Sequence, residues 1–300
     1  MEKTMISTAN VNSIPDTLKN TLLARADQIS MLPAVAMEAL NLTKNPDCTA
    51  EQLAKIVERD VKLAAEILSL SNSAFFSMGQ AVVDLRNAIV RLGFKRCRNL
   101  ILTSSASSLM KNLPLEEEWI REILWQHSFT TAIACGHLNN KFGLGFQGEE
   151  FTAGLLHDIG RLLLAIAAGD RFSSVDSLNL IEGSDLLAKE EEILESNHCE
   201  FGAWFAEHNG LPQSLVDAIR FHHDPWNANE NQELVALIAA GDHIANHLQR
   251  LESAEGYDPS ENLGISAISG PNGRGIADRF DEAAPELLND ILLCSQESIQ

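Results

Sequence analysis

The chain is poor in features that would have placed it quickly. Its five cysteines, at positions 48, 97, 135, 199 and 294, are odd in number and scattered, with no CxxC pair. That argues against a disulfide framework or a cysteine-built zinc site, and it points to a reducing cytosol. Positive charge is scarce: 22 Lys and Arg stand against 42 Asp and Glu, a formal net charge of −20. Such a surface repels nucleic acid at long range, so no nucleic-acid partner is expected. No run of about 18 uncharged apolar residues occurs, and a membrane span is not expected. The N-terminus, "MEKTMISTANVNSIPDTLKN", lacks a basic flank leading into an apolar stretch and is not read as a secretory signal. Strand-type alternation and fixed-period repeats are absent as well.

What is present is helical. "CTAEQLAKIVERDVKLAAEILSLSN" places Thr49 and Gln52 at capping-box spacing ahead of apolar residues at helical intervals. "DLRNAIVRLG" predicts a shorter helix from Asp84 to a stop at Gly93. "LEEEWIREILWQHSFTTAIACGHLNNKFG" opens with three carboxylates, favourable near a helix N-terminus, and ends at Gly143. A helix from about Glu149 to Ala168 follows. Further helices are expected before Asn209-Gly210, between Pro212 and Pro225, and over "ELVALIAAGDHIANHLQRL", read as the last long one. The stretch from Ser253 to Asp281 is rich in Gly, Pro, Ser and Asp, and is expected to be a long loop before a short terminal helix, "APELLNDILL". The Gly-rich "GLGFQG" at 143–148 has no strand before it and reads as an interhelical loop. The fold class is therefore all-α.

Two local concentrations of polar residues stand out. Arg86, Arg91, Lys95, Arg96 and Arg98 crowd together, which reads first as a solvated helix face and alternatively as a docking surface for an acidic partner. The second concentration bears chemistry. His127 shares an i, i+3/i+4 stripe with Ile120, Leu124, Thr131, Ala134 and Leu138, so it points with the apolar face. His157 and Asp158 sit among Leu155, Leu156, Ile159, Leu162 and Leu163. His198 shares a stripe with Leu194, Phe201 and Phe205, His222 one with Leu215 and Ile219, and Asp242 flanks the stripe of Leu234, Ile238 and Ala245.

Buried carboxylates and imidazoles must be compensated, and a divalent cation does this with the right ligand types. His127, His157, Asp158 and Asp242 give two nitrogen and two oxygen donors from three helices, suited to Mn, Fe, Co, Ni or Zn. His198, His222 and His223 could complete a second metal site or contact phosphate, with His223 alternatively exposed or capping its helix. Arg161, one turn beyond His157, could neutralise phosphate. His137, His208, His243 and His247 carry no functional reading, and Trp125 and Trp204 are expected to pack the core.

These residues resemble the H…HD…D pattern of the HD superfamily of metal-dependent phosphohydrolases. "LPAVAMEALNL", "AEQLAKIVERDVKLAAEILSLSNSAFF", "AIVRLGFKRCRNLIL", "GLLHDIGRLLLA" and "AEHNGLPQSLVDAIRFHHDPW" are similar to successive blocks of the HD-related output domain, HDOD, over approximately residues 28–250. "LSNSAFF", with Asn72 and Ser73, is particularly diagnostic. The resemblance implies an N-terminal helical subdomain (28–113) packed on an HD-like helical core (114–250), after an extension (1–27) and before a C-terminal loop and short helix (251–300). It implies a bacterial, cytoplasmic regulatory module acting by protein or nucleotide binding, here without an attached receiver domain. The alternative it offers is a metal-dependent phosphohydrolase in which His127, His157 and Asp242 are ligands, Asp158 bridges or orients metal and water, and Arg161 assists. Arg161 stands where the related HD-GYP phosphodiesterases carry lysine, and "HHDPWNANENQEL" lacks their DGxGYP-type signature, so cyclic-di-GMP hydrolysis is not expected.

Overall fold

The computed structural model describes residues 14–26, 33–43, 45–73, 81–115, 117–180, 184–269 and 275–299. Residues 74–76 of the "LSNSAFF" block, and 1–13 of the N-terminal extension, lie outside them. Among the described residues all regular structure is helical. The first half comprises α1 (Asp16–Ala26), α2 (Ala34–Thr43), α3 (Ala50–Val57), α4 (Val61–Ser71), α5 (Leu85–Leu92) and α6 (Phe94–Asn112). The second comprises α7 (Glu118–Phe142), α8 (Glu149–Leu156), α9 (Ile159–Ala168), α10 (Phe172–Val175), α11 (Ser184–Leu194), α12 (His198–His208), α13 (Gln213–Phe221), α14 (Gln232–Leu251), α15 (Leu263–Ser269) and α16 (Ile276–Ile299).

Capping chemistry sets several boundaries. Thr49 and Gln52 form the reciprocal capping box that starts α3. The apolar pattern that continues past residue 57 is cut because Asp60 caps a new helix, its carboxylate accepting from the Leu63 amide. Asp84 caps α5 in the same way, and Gly93, at φ 81°, ends it. Asn72 at the end of α4 exchanges two hydrogen bonds with the backbone of Val82, both 2.8 Å, and so ties the chain back onto that helix.

One continuous apolar core runs from Ile14 to Ile291. Its centre is the long α7, flanked by α8 and α14, while α9 packs on α12 and α12 on α13. The first half joins through α6 against α8 and α1 against α9. Glycines permit the closest crossings: a Cβ on Gly154 would lie 2.8 Å from Ala132 Cα, and one on Gly241 would lie 2.5 Å from Cys135 Sγ. The stretch Glu149–Val175 is long and apolar enough to cross a membrane by length and composition alone, yet 83% of its most apolar window is buried inside the fold.

The C-terminal expectation is corrected. Within the expected 253–281 loop lies α15, and the terminal helix, α16, runs for 24 residues instead of being short. Composition misled because the decisive term is packing. Gly264 fits where a Cβ would overlap the Ala240 amide on α14, and Phe280 is fully buried against Phe142 and Tyr257. Pro285 is accommodated inside α16.

Candidate metal centre

The helix expected from Glu149 to Ala168 breaks at the residues that matter. Asp158 leaves helical geometry at φ −100°, ψ 14°, between α8 and α9. In an unbroken helix neighbours diverge by about 100°, so His157 and Asp158 would not share one side. Asp158 occupies the N-cap of α9 without capping it, and its carboxylate turns inward.

There it meets the other candidates. His127 (α7), His157 (end of α8), His198 (start of α12) and His222 (end of α13) are buried, as are Asp158 and Asp242 (α14). Asp158 Oδ2 lies 3.7 Å from His127 Nε2 and 3.8 Å from His157 Nε2. Asp242 Oδ1 lies 3.0 Å and 3.6 Å from the same two nitrogens. The other oxygen of Asp158, Oδ1, is 3.5 Å from both His198 Nε2 and His222 Nε2. His223 is half-buried, with Nε2 3.1 Å from His198 Nε2, so it faces the cluster instead of solvent. Two adjacent donor sets thus share one carboxylate.

Three of the rings are anchored alike, each through Nδ1. Nδ1 of His157 lies 2.7 Å from the Gly154 carbonyl, Nδ1 of His222 lies 2.8 Å from that of Ile219, and Nδ1 of His198 lies 2.8 Å from Glu190 Oε2. Protons on those nitrogens leave each Nε2 lone pair aimed inward, the arrangement that outer hydrogen bonds impose on metal-binding imidazoles. His157 Nε2 and Asp158 Oδ1 are buried without a hydrogen-bond partner among the described residues, a costly state that a cation would relieve. The donor set fits a divalent metal.

The charges are mutually dependent. Burial pushes the Asp158 carboxyl up, but Arg161 and the surrounding imidazoles outweigh it and hold it well below the usual carboxylate range. Asp242 is likewise pushed up by burial and held well below that range by His127 and His157. Burial pulls His157 down. Burial also acts to lower His198 and His222, but Cys199, with Glu190 at the first and Asp158 at the second, raises both. Burial raises the Cys199 thiol, and His198 with His222 overcomes this and lowers it; burial alone pushes Cys97 up to about 12.

Arg161 is buried and spent on carboxylates: Nη1 donates to Asp158 Oδ2 at 2.9 Å, and Nε and Nη2 donate to Asp176 at 2.8 and 3.1 Å. Asp176, Glu190 and Asn246, whose amide donates to Asp242 Oδ1 at 2.9 Å, were not singled out from the sequence. Only Asn246 carried a usable signal, lying one helical turn beyond Asp242. It also borders a cavity of about 220 Å³ lined by His243, His247, Arg250 and Tyr257. His243 and His247 use a ring nitrogen each on Tyr257 and the Glu255 carbonyl. The basic cluster is partly consumed locally, Lys95 pairing with Glu149 and Arg91 donating to the Ser71 carbonyl. Trp125 and Trp204 stack on Phe129 and Phe201.

An all-helical bundle that closes on a His…His-Asp…Asp set defines a protein of the HD type. The HDOD domain family model matches residues 29–225, and the chain belongs to the HDOD family. An HDOD domain protein from Geobacter sulfurreducens shares the fold at a TM-score of 0.62 and 22% identity, over 92% of this chain and 97% of that one. A candidate phosphohydrolase from Shewanella amazonensis is 27% identical at a TM-score of 0.59, over 91% of this chain and 98% of that one. An uncharacterised protein of Treponema pallidum (strain Nichols) is 25% identical over 254 residues, 84% of this chain and 48% of that protein. Ribonuclease Y of Thermus thermophilus is 32% identical over 142 residues, 43% of this chain and 20% of the enzyme. The chain thus spans half or less of the length of these two relatives.

Proposed function

We propose that this HDOD protein is a signal-transduction module that takes a phosphorylated small molecule, a nucleotide or related phosphoester, at a metal centre of the HD type. The observation that carries the proposal is the shared anchoring of three imidazoles, each held at Nδ1 from outside with Nε2 turned onto Asp158 or Asp242. His127, His157, Asp158 and Asp242 would hold one divalent ion, and His198, His222 and His223 would hold a second with Asp158 between them. Mn, Fe, Co, Ni and Zn suit this mixture of nitrogen and oxygen donors. Bound there, such ions would supply charge to neutralise phosphate oxygens and would make water more acidic.

The protein supplies position. The Gly154 and Ile219 carbonyls and the Glu190 carboxylate fix three ring planes. Asp176 holds Arg161, and Arg161 holds Asp158 ionised and in place. Arg161 is therefore proposed as a positioning residue, acting through Asp158. Hydrolysis of the ligand is a second reading, favoured by Asp158 presenting its two oxygens to two different donor sets, as a shared ligand between two ions requires. The likeness to the Shewanella protein supports that chemistry. The net charge of −20 weighs against the nucleic-acid substrate that ribonuclease Y is named for.

Metal binding is tested first, by elemental content and thermal unfolding with and without Mn²⁺ or Zn²⁺. Metal at about 100 times its Kd adds about 2.7 kcal/mol, a rise in Tm of roughly 4 °C for a chain of this length. Asp158→Ala should abolish that rise. A wild type that takes up no metal, with Asp158→Ala equally stable, overturns the proposal. A phosphoester panel then separates the readings: binding without turnover supports the module, whereas turnover lost in His157→Ala supports hydrolysis.

A further inference from the structure

Cys199 lies at the start of α12, next to His198, and is buried. Its Sγ is 4.0 Å from His222 Nε2. One donor atom from each of His198, Cys199, His222 and His223 lies within 4.8 Å of every other. The Asp158 Oδ1 atom, buried and without a hydrogen bond, lies 3.5 Å from two of those nitrogens and points into the same space. The other half of the centre has no sulfur, its donors being the imidazoles of His127 and His157 and carboxylate oxygen. The two halves therefore differ in chemical softness.

We infer that Cys199 is a metal ligand, and that the His198–Cys199–His222–His223 pocket is a nitrogen–sulfur site for a thiophilic divalent ion such as Zn²⁺ or Fe²⁺. The inference rests on the proposed metal centre and adds a donor and a selectivity to one half of it. A thiolate is the binding form of cysteine, so uptake releases the Sγ proton to solvent and forms a metal–sulfur bond, with no change of oxidation state. Thiolate among imidazoles selects Zn²⁺ and Fe²⁺ over Mn²⁺ and Mg²⁺, which prefer oxygen. The first half, with its carboxylates, discriminates less. The local fold suits the role: Asn197 caps α12 through the Glu200 amide, while Glu190 accepts from the His198 amide and lies against its Nδ1. Both bonds fix the turn from which His198 and Cys199 project.

Cobalt(II) reports sulfur ligation directly, so the test is titration of chelator-stripped, reduced, full-length protein with Co²⁺. The expected result is a near-ultraviolet thiolate-to-cobalt charge-transfer band alongside visible ligand-field bands. Cys199→Ser should lose the first and keep the second, and one of its two Co²⁺ equivalents should bind at least ~10-fold less tightly. Zn²⁺ should bleach the charge-transfer band, and excess Mg²⁺ should not. Ligand-field bands without the charge-transfer band, or a charge-transfer band that survives in Cys199→Ser, overturn this inference and leave the metal centre standing. Absence of all cobalt bands overturns both. X-ray absorption of the zinc-loaded wild type needs no variant. A sulfur neighbour at about 2.3 Å is expected, and a shell of nitrogen and oxygen alone refutes the assignment.

Discussion

Arg161 illustrates how one side chain governs the centre without facing it. Its guanidinium is 1% exposed and joins Asp158 to Asp176, so its removal leaves two buried carboxylates facing each other's charge. Arg161→Leu should cost about 3–5 kcal/mol in urea unfolding near neutral pH with chelator present. The pH dependence follows from the sign of the Asp158 shift, which is downward on folding. Such a group stabilises the fold above its unfolded value of about 3.9, and that contribution is lost as pH falls through the lower folded value. Wild-type stability should therefore drop on the acid side, and Arg161→Leu should flatten that drop. An unchanged acid limb would show that Arg161 does not hold Asp158 ionised.

At the scale of elements, the centre depends on how closely helices approach. A Cβ on Gly160 would overlap the His198 carbonyl oxygen, where α9 crosses α12, and one on Gly202 would meet the Ile219 side chain at 2.9 Å. Gly160→Ala should destabilise by about 3 kcal/mol and displace His198, weakening metal uptake. Gly136, inside α7 with nothing within 4 Å of where a Cβ would sit, is the contrasting position. Gly136→Ala should stabilise by about 0.5–1 kcal/mol through helix propensity alone. Thermal unfolding of the two variants separates tertiary constraint from local preference, and equal effects would remove the crossing as the cause.

For the whole molecule, the C-terminal helices belong to the fold that builds the site. The family match ends at residue 225, yet Asp242 is on α14, and α15 and α16 cover α14 and α7. A fragment ending at residue 250 would expose the surfaces that receive Ile265, Phe280, Leu288 and Ile291, all buried in the full chain. It should lose cooperative unfolding by circular dichroism and aggregate on size exclusion. A fragment as stable as the full chain would make α15 and α16 an appendage, as a division at residue 250 implies.

Much of this was legible in the residue order. Apolar periodicity marks most helices, Thr49, Asp84, Gly93 and Gly143 mark ends, and His127, His157, Asp158 and Asp242 stand on or beside apolar faces, where a buried polar group calls for a partner. Those are local signals, carried by residues three or four apart on one surface. Four features were decided by tertiary structure alone: the break at Asp158, the inward turn of His223, the Asp176–Arg161–Asp158 chain and the length of α16. Each depends on which distant helix packs alongside. Propensity at Pro285 or Gly264 yields to buried area, and a ligand set drawn from five helices takes its geometry from their packing, which no single stretch of sequence encodes.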